Sequence, residues 1–177
     1  MPELIEENPK VAEGREVGPP RSLVLGVATA AGAGYAPVAP GTFGSAVGVL
    51  LFVPLASLDP VLFAVTLAGL LALGIWAADH AERVFGQHDD GRIVIDEVVG
   101  QLITLTPLLV SGAIRSLPLL AVGFVVFRGL DIWKPGPVSW AERNFSGGAG
   151  VMLDDVAAGV LGAIALAAIC WFVGSPA

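Results

Sequence analysis

Two adjacent pairs of acids, Asp96-Glu97 and Asp154-Asp155, each stand at the head of a long apolar run. A third charged island, Arg128-Gly129-Leu130-Asp131-Ile132-Trp133-Lys134-Pro135, lies between them. Carboxylate oxygens are hard donors of the kind Mg²⁺ prefers, and Mg²⁺ usually takes one or two of them while keeping water and phosphate oxygens as its other ligands. Asp96, Glu97, Asp131, Asp154 and Asp155 are therefore read as metal ligands, enough for one ion or two. Zinc is disfavoured, because His80, His88 and Cys170 show no ligand-like grouping. A divalent ion in such a cluster activates water and shields phosphate charge during in-line attack, so the chemistry expected is phosphoryl chemistry. Helix capping by acids at the positive end of the macrodipole accounts for one pair, but two pairs together with Asp131 and Lys134 favour a site.

The cations and small residues around these acids suit an anionic substrate. Arg128 offers a planar fork for phosphate oxygens and Lys134 a point charge; for Arg128, neutralising Asp131 or anchoring its helix at the interface weighs equally. Gly147-Gly148-Ala149-Gly150 ahead of a helix, and Thr42 and Ser45 after a Gly/Pro loop, present backbone or hydroxyl donors to an anion, although flexible linkage is the commoner use of such a Gly-rich turn. His88, beside Asp89 and Asp90, is a second-tier general acid. Glu142-Arg143 reads as a surface pair.

These residues need elements to position them. The chain is 177 residues long, 55% hydrophobic and only 14% charged, against about 25% charged in soluble domains, which indicates a membrane protein of one domain. A single cysteine, Cys170, excludes an internal disulfide. Residues 1–20 are expected to form an acidic, mobile tail, and residues 21–177 the membrane-embedded domain. Ala28-Thr29-Ala30 imitates a signal-peptidase site, but the acidic n-region argues for retention. The net charge of −7 and the absence of a basic face exclude a nucleic-acid partner.

Six helices are expected, about three of them long enough to cross a bilayer. Gly and Pro between Gly32 and Ser45 divide residues 22–58 into two short helices. Val61–Ala78 would measure roughly 27 Å as a helix against a hydrocarbon core of about 30 Å. Val98–Ile114 is uncharged but interrupted by Pro107, residues 116–127 are too short to cross alone, and 156–173 follow a polar, turn-rich segment over 136–150. The runs are continuous rather than alternating, so the fold is all-α, a compact helical bundle, and not a β-barrel. Gly44/Gly48 and Ala158/Gly162 permit close helix approach, a match that is frequent by chance in a chain with 23 glycines. If the chain reverses at each connection, residues 32–44, 79–97 and 128–155 share one face, so the polar motifs converge. The Lys and Arg balance favours neither orientation.

The succession Pro40-Gly41-Thr42-Phe43-Gly44-Ser45, then His88-Asp89-Asp90-Gly91 leading to Asp96-Glu97-Val98-Val99-Gly100, then Phe127 to Pro137, then Gly147 to Gly159 with Asp154-Asp155 at its centre, resembles bacterial phosphatidylglycerophosphatase A. The resemblance covers nearly everything after the tail. It implies a Mg²⁺-dependent phosphatase of the inner membrane, acting on the phospholipid phosphatidylglycerophosphate, with a central helix surrounded by others. The matched acids, Glu97, Asp131, Asp154 and Asp155 among them, would then be metal and catalytic residues, and the active face cytoplasmic. Ser146 stands where some members carry His and receives no catalytic role. Attack by water is favoured over an aspartyl-phosphate. The rival reading is a cation-coupled transporter built on intramembrane acids; the position of the acids at loop–helix junctions beside Arg128 and Lys134 favours the enzyme.

Overall fold

The computed structural model describes residues 19–174, which are helical with no strand among them. The acidic tail expected over residues 1–20 lies, Pro19 and Pro20 apart, outside the described residues. The helices are α1 (Arg21–Ala28), α2 (Pro40–Leu55), α3 (Pro60–Phe85), α4 (Ile95–Leu105), α5 (Pro107–Ser111), α6 (Leu117–Trp133), α7 (Gly136–Asn144) and α8 (Gly147–Gly174). Their ends follow local chemistry. Asp59 caps α3 by accepting from the amides of Val61 and Leu62 at 3.0 and 3.1 Å, Pro60 opens that helix, and Gly86 closes it at φ +70°.

Two of the expected boundaries move. The run 98–114 is not one helix: Pro107 has no N–H to donate, so α4 stops at Leu105 and the short α5 follows, ending at Gly112 with φ +69°. The segment 136–150, read as turns, contains α7, which Pro137 starts and whose Val138 and Ala141 are buried. Six expected helices thus become eight among the described residues. Two of them, α3 and α8, are long and apolar enough to cross a membrane, rather than about three.

At the centre is α4, with residues buried on every side, including Ile95, Val98, Val99, Leu102 and Leu105. Around it pack α2, α3, α6 and α8. Small residues let helix backbones approach closely, and they mark the contacts here. Gly44 and Gly48 of α2 meet Val94 and Gln101 of α4, and Gly159 and Gly162 of α8 meet Gly100 and Thr104. The Gly44/Gly48 spacing that composition left close to chance is thus a real interface, whereas of the Ala158/Gly162 pair Gly162 takes part with Gly159, and Ala158 packs with Phe127 and Val138 instead. These pairings make α2, α4 and α8 mutually parallel. In contrast, α6 runs antiparallel to α4, since its Gly123 faces Leu105 while its Phe127 faces Gly100. The starts of α2 and α4 and the end of α6 therefore lie at one end of the bundle, where the polar motifs converge.

Candidate active site

The first turn of α4 carries Asp96 and Glu97, where the macrodipole favours acids. That explanation does not extend to Asp154 and Asp155, which lie two turns inside α8 rather than at its start. What brings them to α4 is Gly100: with no side chain there, the backbone carbonyl of Asp155 and the ring of Phe127 close onto α4 from two sides. As a result Asp96, Glu97 and Asp155 each offer a carboxylate oxygen within 4.8 Å of the others. Asp131 of α6 is tied to the group through Arg128, which pairs with both Asp131 and Glu97.

Two cations border the group. From α6, Arg128 pairs with Asp131 at 2.5 Å, stands 3.8 Å from Glu97 Oε1, and points Nη1 at Ser45 Oγ at 3.5 Å. Ser45 is itself buried and donates to the Gly41 carbonyl at 2.9 Å. A methyl group at Gly41 would collide with Glu97 Oε1 and approach Arg128 Nη1 to 3.2 Å, so this glycine makes room for the Glu97–Arg128 contact. Lys134, in the left-handed conformation at φ +46° before Pro135, bridges Asp154 at 3.0 Å and Glu142 at 2.7 Å. Burial works against its charge, but the bonds to Glu142 and Asp154 outweigh burial and hold its pKa above the usual lysine range, so it stays protonated. Glu142 therefore partners Lys134, and the surface pair expected with Arg143 is not the arrangement found.

Five carboxylates thus face two cationic side chains in a largely dehydrated place, and several polar atoms have no partner. Asp96 Oδ1, Glu97 Oε2 and Asp155 Oδ2 are buried without a hydrogen bond, as are Arg128 Nε and both amide atoms of Gln101. An unpaired buried polar group costs about 1–3 kcal/mol, more when charged, so a folded chain keeps such a group only if something else completes it. Three carboxylates that bring an oxygen each to within 4.8 Å of the others, and that each keep one buried oxygen without a donor, fit a hard divalent cation with water or phosphate as its remaining ligands. Arg128 links Asp131 to Glu97, and Lys134 holds Asp154, the neighbour of Asp155.

Other expected site residues lie elsewhere. His88 is exposed, with Nδ1 at 2.5 Å from Glu82 Oε1, and makes no hydrogen bond or ion pair to the carboxylate group. Its loop is held by Asp90, whose carboxylate takes the Arg92 side chain at 2.6 and 2.7 Å; that bond, against the effect of burial, lowers the Asp90 pKa. Gly148 packs against Ile75 and Asp79 of α3, so its small size serves helix packing. Thr42 is half-buried in the first turn of α2 beside Gly41. Gln101 escaped the sequence reading. The signal available was an amide one helical turn after Glu97 inside an uncharged run.

Comparison with known proteins gives concordant results. A family model described as phosphatidylglycerophosphatase A matches residues 26–170. The chain is 36% identical over 143 residues to phosphatidylglycerophosphatase A of Escherichia coli K12, covering 81% of this chain and 78% of that protein. It is 37% identical over 145 residues to the Haemophilus influenzae protein of the same name, covering 80% and 85%. A Bacteroides thetaiotaomicron protein provisionally named a phosphatidylinositol-3-phosphatase is 39% identical over 160 residues, covering 88% and 98%. No solved structure matches significantly.

Proposed function

The chain belongs to the phosphatidylglycerophosphatase A family, and from that premise we propose that its buried carboxylate group is the active site of a Mg²⁺-dependent phospholipid phosphatase. The reaction removes the terminal phosphate of phosphatidylglycerophosphate, giving phosphatidylglycerol and inorganic phosphate: the oxygen of water forms the new P–O bond as the P–O bond to glycerol breaks, and a proton lost by that water ends on the leaving glycerol oxygen. The observation that carries this reading is the convergence of the Asp96, Glu97 and Asp155 carboxylates, each with a buried oxygen that has no partner, beside Arg128 at Glu97 and Lys134 at Asp154. Asp96, Glu97 and Asp155 would hold the cation, with Asp131 and Asp154 beside it. When bound, Mg²⁺ neutralises phosphoryl charge and makes water more acidic.

The protein's own groups do the rest. Arg128 lies between Ser45, Glu97 and Asp131, so its guanidinium turns toward an arriving phosphate with little reorganisation. Lys134, permanently charged, holds a second phosphoryl oxygen while Glu142 and Asp154 fix its position. The starts of α2 and α4 add the positive ends of two helix dipoles to the same region.

The test is phosphate release from vesicles. Phosphatidylglycerophosphate should be hydrolysed only with Mg²⁺ present, activity should vanish after exhaustive EDTA treatment, and readdition should restore it. Full release in EDTA would exclude the metal reading. Preference for phosphatidylinositol 3-phosphate in the same vesicles would move the chain toward the Bacteroides relative's named substrate.

We also place the protein as a multi-pass chain of the cytoplasmic membrane with the carboxylate end facing the cytoplasm, where the family's substrate is made. In a Cys170→Ala background, a single cysteine in the 86–92 loop should resist membrane-impermeant thiol reagents in intact cells, and one at Asp59, at the opposite end of α3, should react. The reverse labelling pattern would overturn this orientation.

A further inference from the structure

Gln101 is fully buried on α4, and neither its amide nitrogen nor its amide oxygen has a partner. It stands four residues after Glu97, on the same face of the helix, since both turn toward glycines of α2: Glu97 lies by Gly41 and Gly44, and Gln101 by Gly48. The Glu97 carboxylate has one oxygen near Arg128 and the other, Oε2, buried without a donor. The Gln101 side chain carries two N–H donors on the neighbouring turn. Leucine or methionine would fill this place without a polar group to satisfy, so an amide here is a structural liability unless it is used. Its neighbour one turn further, Thr104, shows the contrast: that hydroxyl is placed to bond the Gly100 and Gly159 carbonyls, at 3.1 and 3.3 Å.

We infer that Gln101 is a positioning residue for the reaction, its amide N–H serving Glu97 Oε2 through one buried water and so fixing the carboxylate that faces Asp96 and Asp155. Groups that orient metal-binding side chains in this way typically change metal affinity or activity 10–100-fold when removed. The inference rests on the reading of Asp96, Glu97 and Asp155 as a cation site.

The test is calorimetric Mg²⁺ binding to purified wild type, Gln101→Leu, Gln101→Asn and Asp96→Asn proteins, with thermal unfolding and phosphate release measured alongside. Gln101→Leu should unfold at or above the wild-type temperature, because two orphaned polar atoms are gone. It should nevertheless bind Mg²⁺ roughly ten-fold more weakly, need correspondingly more Mg²⁺ for half-maximal release, and show a lower kcat. Gln101→Asn, which keeps the amide, should recover part of the affinity. A Gln101→Leu protein with wild-type Mg²⁺ affinity and kcat would overturn the inference, as would one whose loss is explained by unfolding while Gln101→Asn binds no better than it. A wild type that binds no Mg²⁺, indistinguishable from Asp96→Asn, would instead overturn the cation site itself and the role of Gln101 with it.

Discussion

Asp155→Asn is expected to reduce phosphate release by about a hundred-fold or more while leaving the protein folded. Asparagine preserves the volume of a side chain that is only 2% exposed, so packing against α4 and α6 is kept, but one of the three converging anionic oxygens is lost or replaced by an amide hydrogen-bond donor. The effect on stability should run the other way. Asp155 lies with Asp96 and Glu97 beside Asp154, and Arg128 and Lys134 are the cations paired with this acidic region among the described residues, so removing one charge relieves repulsion in a low-dielectric place. An unfolding temperature equal to or above wild type, measured in detergent without Mg²⁺, together with collapsed activity would mark Asp155 as a functional acid. Asp131→Asn and Asp154→Asn are expected to lose activity in the same manner. A folded Asp155→Asn enzyme at the wild-type rate would return this acid to a packing role.

Gly100→Ala should damage the site without touching a charged group. The added methyl would lie 2.6 Å from Phe127 Cε2 and 2.7 Å from the Asp155 carbonyl oxygen, and Phe127 is fully buried and has nowhere to swing. Alanine gains about 0.8–1.0 kcal/mol over glycine in helix propensity, whereas overpacking costs about 1–3 kcal/mol, so the collision wins and stability falls. The larger consequence is geometric. α8 must move away from α4, taking Asp155 from Asp96 and Glu97, and a displacement of about 1 Å costs on the order of a hundred-fold in rate. Gly69→Ala in α3, where a methyl would meet nothing within 4 Å, should be neutral or slightly stabilising. Equal, small effects of the two substitutions, read by thermal unfolding and phosphate release, would show that the α4–α8 contact does not set the site.

Much of the candidate site was legible because acids are rare in an apolar chain. Asp96, Glu97, Asp131, Asp154 and Asp155 stood out as charges whose placement needed a counter-ion, and reversal of the chain at each connection put them at one end. The break at Pro107 was visible, although its full effect on the length of α4 was not. α7 was missed because Gly136, Pro137 and the polar residues after them resemble a turn. What makes α7 a helix is burial of Val138 against Phe127 and Ala158 of its neighbours, with Ala141 buried beside it on the same helix, and such burial has no local signature.

Composition and the order of the motifs thus determined by themselves an all-helical chain with apolar segments and a carboxylate-rich site, because hydrophobicity and charge are properties each residue carries anywhere. Which acids meet was decided only by tertiary structure. Asp155 joins Asp96 and Glu97 through the absence of a side chain at Gly100, Arg128 reaches Glu97 past the space left by Gly41, and His88 turns away to Glu82. Those outcomes depend on how closely helices distant in sequence approach, and in lipid that distance is set by steric contact between small residues rather than by hydrophobic pattern.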